Sequence, residues 1–311
     1  MPDLTQQLKE FARSASADLV GIATPDRFEG LPARENPLSI FPEMTAAIVI
    51  GRRITRGTLR GIEEGTNLAL YDNFGYSWLD MQFVAASTFE VTEWIEDQGW
   101  EAVPIFPFPT EAYPQGVAVR EGAPAPNVYP DMEKMAVAAG LAEMSYVRLA
   151  LSPEFGHRQR WQMILTDAPL EADPLLEENL CGMCMRCVEI CPLGAISTEN
   201  EETMAIAGRE YTVARIDYSK CRRCQNGARP NRYHPAGAPD RLGAICMRTC
   251  MQALEGSGKL NTEFAHRFRT REPWALDLAG EPMQVKPGIS AAGSGCGDPD
   301  GSKAAREEAQ P

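Results

Sequence analysis

Eight of the nine cysteines in this chain fall between residues 181 and 250, and the first 180 residues contain none. With 311 residues the chain has enough length to bury a full core without cross-links. Cysteines clustered in this way read as metal ligands or redox groups in a reducing compartment, rather than as a disulfide frame. Cys181, Cys184, Cys187 and Cys191, followed by Pro192, give the run C-x2-C-x2-C-x3-C-P, which is the run of bacterial [4Fe–4S] proteins. Three thiolates two residues apart wrap one cubane. The fourth, carried on by three residues and the proline, points to a second cluster.

A second quartet is therefore expected, and it is present in altered form. Cys221 and Cys224 lie in KCRRC; after 21 intervening residues come Cys246 and Cys250 in GAICMRTCMQAL. Residues 240–254 read as a helix, so Cys246 and Cys250 share one face about a turn apart. By analogy with two-cluster ferredoxins, Cys181, Cys184, Cys187 and Cys250 form one ligand set, and Cys191, Cys221, Cys224 and Cys246 the other. A zinc site at the second quartet is the alternative on spacing alone. Between 215 and 250 stand eight basic residues, Arg215, Lys220, Arg222, Arg223, Arg229, Arg232, Arg241 and Arg248, against Asp217 and Asp240. Cations here stabilise an anionic cluster and offer a dock for an acidic electron donor such as a flavodoxin or ferredoxin. His157, His234 and His266 show no ligand or triad spacing and read as structural.

The remainder of the chain has ordinary globular composition, with 44% apolar and 23% charged residues. A net charge of −13 is wrong for a nucleic-acid binder or for attraction to an anionic membrane. No stretch reaches the ~20 apolar residues of a membrane span, and the N-terminal run lacks a signal-peptide pattern, so a cytoplasmic protein is expected. Residues 4–16 read as an amphipathic helix capped by Asp3, 45–51 as a buried strand, and 77–98 as a helix ended at Gly99. A Pro-rich irregular loop follows from 104 to 130. A helix opened by Asp131 stops at Gly140, and the runs 145–151 and 161–167 read as strands. From about residue 286 the Gly- and Ser-rich tail, with Cys296 in it, reads as disordered, and that cysteine as an exposed non-ligand thiol.

The order of these segments resembles the cobalamin-dependent iron–sulfur reductases, meaning epoxyqueuosine reductase and the reductive dehalogenases. The likeness is strongest over 136–197, in AAGL, SPEFG, R-x-R and TDAPLE-x-D followed by the cysteine run. It implies an α/β (α+β) fold in which a nitroreductase-like sheet-and-helix domain, residues 1–172, carries a ferredoxin-like module with two [4Fe–4S] clusters at 173–260. A return segment at 261–285 and the tail at 286–311 complete the chain. It further implies a cobalamin that receives electrons and reduces a small-molecule substrate. Phe155, Gly156, Arg158, Arg160 and Thr166 are the cofactor-pocket positions by place in the matching motif, and Tyr129 is a proton-donor candidate. The sequence departs from the family's pattern at Ala142 and Ser145, where glycines are usual, at Asn127, where an acid is usual, and at Gly243, a cysteine position for which Cys224 substitutes. The first three favour an alternative: an electron-transfer protein whose α/β domain holds no cobalamin.

Overall fold

The computed structural model of the protein describes residues 3–109, 112 and 116–285. Its first half is built on a four-stranded antiparallel sheet in the order β1 (Leu19–Ala23), β2 (Ala46–Arg53), β4 (Gln159–Thr166), β3 (Ala102–Ile105). β3 is an edge strand, which is why it tolerates Pro104. Side chains alternate across the sheet. Ala47, Val49, Met163 and Leu165 pack with α3 (Met132–Ala138) on one face; Ile48, Ile50 and Ile164 pack with α1 (Leu4–Ser14) and α2 (Ala85–Asp97) on the other.

The local signals of the sequence account for most of these elements. Asp3 caps α1, its carboxylate accepting from the Gln6 amide at 2.7 Å. Asp131 caps α3 through the amides of Glu133 and Lys134. Gly99 and Gly140 close their helices with φ of +88° and +75°.

Three boundaries and one hairpin differ from expectation. The helix expected over 77–98 is part of a longer helical run from Ala69 to Asp97, interrupted by two π-helical stretches, Asp72–Ser77 and Leu79–Val84. The strand expected over 145–151 shrinks to Ala150–Leu151, because Arg148 turns the chain with φ +60°. The helix expected over 240–254 starts later, as α4 (Ile245–Ser257); Asp240 is instead bridged to Arg229 in extended backbone. A long hairpin, β5 (Ile196–Ile206) with β6 (Arg209–Ile216), was not foreseen. It separates the two halves of the cysteine region. The expected tail and Cys296 lie outside the described residues.

The mixed helix-and-sheet class is as expected. Among the described residues no helix is long and apolar enough to cross a membrane.

The sheet domain and the cysteine region meet through buried ion pairs. Glu63 sits between two guanidiniums: Arg248 Nε donates to its Oε2 at 2.7 Å, and Arg269 Nε donates to its Oε1. Arg160 of β4 pairs with Asp240, whose Oδ1 also accepts from the Tyr71 hydroxyl at 2.8 Å.

Candidate iron–sulfur centres

The eight clustered cysteines line two separate cavities. Cys181, Cys184, Cys187 and Cys250 face one; Cys191, Cys221, Cys224 and Cys246 face the other. The loop 181–185 makes the first grouping possible. Gly182, Met183 and Met185 all take positive φ, between +43° and +58°, which curls the chain tightly enough to bring three thiols inward. α4 then offers Cys250 to this cavity and Cys246 to the second.

The donor set suits a cluster. Both cavities are otherwise walled mainly by apolar groups, among them Val147 and Leu254 at the first and Ala195 and Ala244 at the second. Backbone amides of Tyr146 and Ala195 donate to Cys181 Sγ and Cys191 Sγ, each at 3.4 Å, and Asn226 Nδ2 donates to Cys224 Sγ at 3.7 Å. Such N–H···S bonds stabilise an anionic cluster and raise its potential. Among the described residues no group of three or more Cys, His, Asp or Glu side chains is arranged to hold a single metal ion. Seven of the eight are free thiols.

Burial pushes the Cys187 thiol up to about 12, with Cys181 adding to it, and the Cys221 thiol up to about 11. Cys246 and Cys250 are raised further by the same cause. These thiols are neutral until iron displaces their protons, so loading releases protons.

The basic segment divides in two. Arg241 and Arg248 are buried; Arg229 pairs with Asp72, and Arg232 lies 3.8 Å from the Tyr76 ring centroid. Arg215, Arg222 and Arg223 remain exposed, and Arg222 and Arg223 lie between Cys221 and Cys224 of the second cavity.

The five residues carried over for a corrin are not gathered round a common cavity. Phe155 and Thr166 are buried in packing, Thr166 Oγ1 accepting from the Ala168 amide at 3.1 Å. Gly156 packs against Leu254, whose Cδ1 would stand 3.0 Å from any added Cβ. Arg158 is 2% exposed and lies 4.0 Å from Glu255. Arg160 lines a small pocket but is paired to Asp240. Asn127 and Tyr129 line a different, open cavity of about 670 Å³ walled by the Pro-rich loop. As arranged here, these side chains do not fit a corrin. Of the three histidines, His157 is buried and held neutral, its pKa pushed down to about 3 by burial and by Arg158.

The fold and the thiol geometry define an iron–sulfur protein with an α/β domain. The 4Fe-4S binding domain family matches residues 174–197. Tetrachloroethene reductive dehalogenases from Dehalobacter restrictus and Desulfitobacterium hafniense are each 32% identical to the chain over 97 residues, covering 28% of this chain. The chain spans about a fifth of the length of these curated relatives, 18% of each. Among solved structures, a catabolic reductive dehalogenase in complex with 3-bromo-4-hydroxybenzoic acid is similar over 78% of this chain and 33% of its own, at 18% identity and a TM-score of 0.49. Epoxyqueuosine reductase from Streptococcus thermophilus is similar over 67% of this chain and 56% of its own, at 14% identity and a TM-score of 0.46. The resemblance read from the sequence is thus met among curated proteins over 97 residues.

Proposed function

We propose that the chain is an iron–sulfur reductase that accepts electrons one at a time into two [4Fe–4S] clusters and passes them to an acceptor on its α/β side. The observation that carries this reading is the sorting of eight thiols into two four-sulfur cavities joined by α4. Neighbouring four-thiolate sites serve electron transfer well, since a cluster changes charge by one with little movement of its ligands. Cys181, Cys184, Cys187 and Cys250 hold one cluster in this reading, and Cys191, Cys221, Cys224 and Cys246 the other. Electrons enter at the second site, where Arg215, Arg222 and Arg223 offer an acidic flavodoxin or ferredoxin a positive landing. A reducing, cytoplasmic compartment keeps the thiols available.

Cobalamin is the acceptor that the resemblance implies, and the 32% identity to tetrachloroethene reductive dehalogenases over 97 residues favours it as a second reading. The residues at its expected positions are engaged in packing and ion pairs. Anaerobic reconstitution with cobalamin supplied tests both readings. About eight iron and eight sulfide per chain support the two-cluster reductase; bound cobalt in addition favours the second reading.

A further inference from the structure

A cavity of about 160 Å³ lies between the sheet and the cysteine region and is used by none of the thiols. Tyr76, Trp161 and Tyr233 form much of its wall; Asp80 and Glu133 line it too, Glu133 Oε2 accepting from the Ala150 amide at 2.6 Å. Trp161 is 3% exposed, yet its Nε1–H has no hydrogen-bond partner among the described residues, and neither has the Tyr233 hydroxyl. Two orphan donors on residues that line one cavity are costly unless something accepts from them. Two side chains of the wall are set by the π-helical stretches, Tyr76 from Asp72–Ser77 and Asp80 from Leu79–Val84. Irregular turns of this kind are frequent at functional sites. The cavity also adjoins the electron path. Asp240 lines it, and the next residue, Arg241, lines the second thiol cavity.

We infer that this cavity binds a small, flat, uncharged carbonyl compound of the quinone or enone class, and that Asp80 and Glu133 protonate it as the clusters reduce it. The inference rests on the proposed electron-transfer function. The orphan Trp161 and Tyr233 donors bind carbonyl oxygens, and the ring-lined walls take the flat face. Two electrons arrive singly, each from a reduced cluster that returns to its oxidised state. Asp80 and Glu133 give up one proton each, so a quinone leaves as the hydroquinone, and solvent reprotonates the carboxylates. The acids suit this work. Burial raises Asp80 to about 6, with Asp240 adding to it and Arg160 and Arg232 opposing. Burial raises Glu133 to about 7, with Asp131 adding and the Ala150 amide, Arg160 and Arg241 opposing. Tyr76 and Tyr233 also face the cavity and hold their protons, both raised by burial.

The test uses the reconstituted full chain, reduced with dithionite and then mixed with tetramethyl-p-benzoquinone, whose filled ring cannot arylate cysteines. Reoxidation that saturates with quinone and slows as pH rises from about 6 to 7 is expected. Asp80→Asn and Glu133→Gln should each slow it at least about tenfold with iron content unchanged. Tyr233→Phe should raise KM and spare kcat. The infrared carbonyl band of a protonated carboxyl should weaken in each acid variant of the oxidised protein. Reoxidation that is linear in quinone, or equal in wild type and both acid variants, overturns the inference while leaving the clusters intact. Failure to take up iron defeats the underlying function and the inference with it.

Discussion

Cys246 and Cys250 sit one turn apart on α4 and face different cavities, Cys246 that of Cys191, Cys221 and Cys224, and Cys250 that of Cys181, Cys184 and Cys187. One helix thus ties the two sites together, and each site takes ligands from both halves of the cysteine region. Cys246→Ala and Cys250→Ala should each lose about half of the iron, from different clusters. Iron analysis with electron paramagnetic resonance of the reduced variants checks this. Loss of both clusters from a chain that still folds would contradict separate sites.

Glu63 holds the sheet domain against the cysteine region through Arg248 and Arg269. The three side chains are 5%, 0% and 1% exposed. Removing the carboxylate leaves two buried guanidiniums uncompensated, so Glu63→Gln should cost about 3–5 kcal/mol in denaturant unfolding. Burial alone would raise the Glu63 pKa, but the hydrogen bonds and charges of Arg269 and Arg248 outweigh it and pull it below the ordinary value. Its contribution is therefore fully present above the unfolded pKa and is lost as pH falls through the folded one. Unfolding free energy measured from neutral to acid pH should show wild type, and not the variant, losing this increment.

Gly243 is packed too closely to carry a side chain. A Cβ there would lie 2.8 Å from the Tyr71 ring and 3.0 Å from the Gly227 carbonyl oxygen. Gly243→Cys should destabilise the protein by about 1–3 kcal/mol, and should not restore a cluster lost in Cys224→Ala. Thermal unfolding and iron content of the single and double variants read both effects.

Arg222 and Arg223 stay exposed beside the second cavity, whereas Arg241 and Arg248 turn inward. Reversing both to Glu should slow electron uptake from reduced flavodoxin about tenfold or more at low salt, and flatten its dependence on ionic strength. Stopped-flow mixing across a salt series measures both. An unchanged rate would place the donor elsewhere.

Much of this site was legible in the sequence because cysteine spacing encodes ligand geometry directly. The x2-x2-x3-Pro run sends three thiols inward and the fourth onward, and helical periodicity alone puts Cys246 and Cys250 on one face. The helix over 4–16 was equally plain, since apolar spacing and the Asp3 cap agree. Long-range pairing was not legible. Nothing local announces that Arg241 and Arg248 are buried, because their partners are distant in sequence: Glu63 for Arg248, and the Val147 carbonyl for Arg241. The polar hairpin β5–β6 escaped notice because its first strand is almost wholly exposed and lacks the alternation of a half-buried strand. The cavity lined by Asp80 and Glu133 draws on segments more than 150 residues apart, so no local pattern announces it.

The central claim is that the eight thiols hold two clusters. Iron and acid-labile sulfide per chain, measured after anaerobic reconstitution under a thiol reductant, test it most directly. The account predicts about eight of each, with reduction of both clusters visible by electron paramagnetic resonance. About four of each, or zinc held at Cys191, Cys221, Cys224 and Cys246, would contradict it.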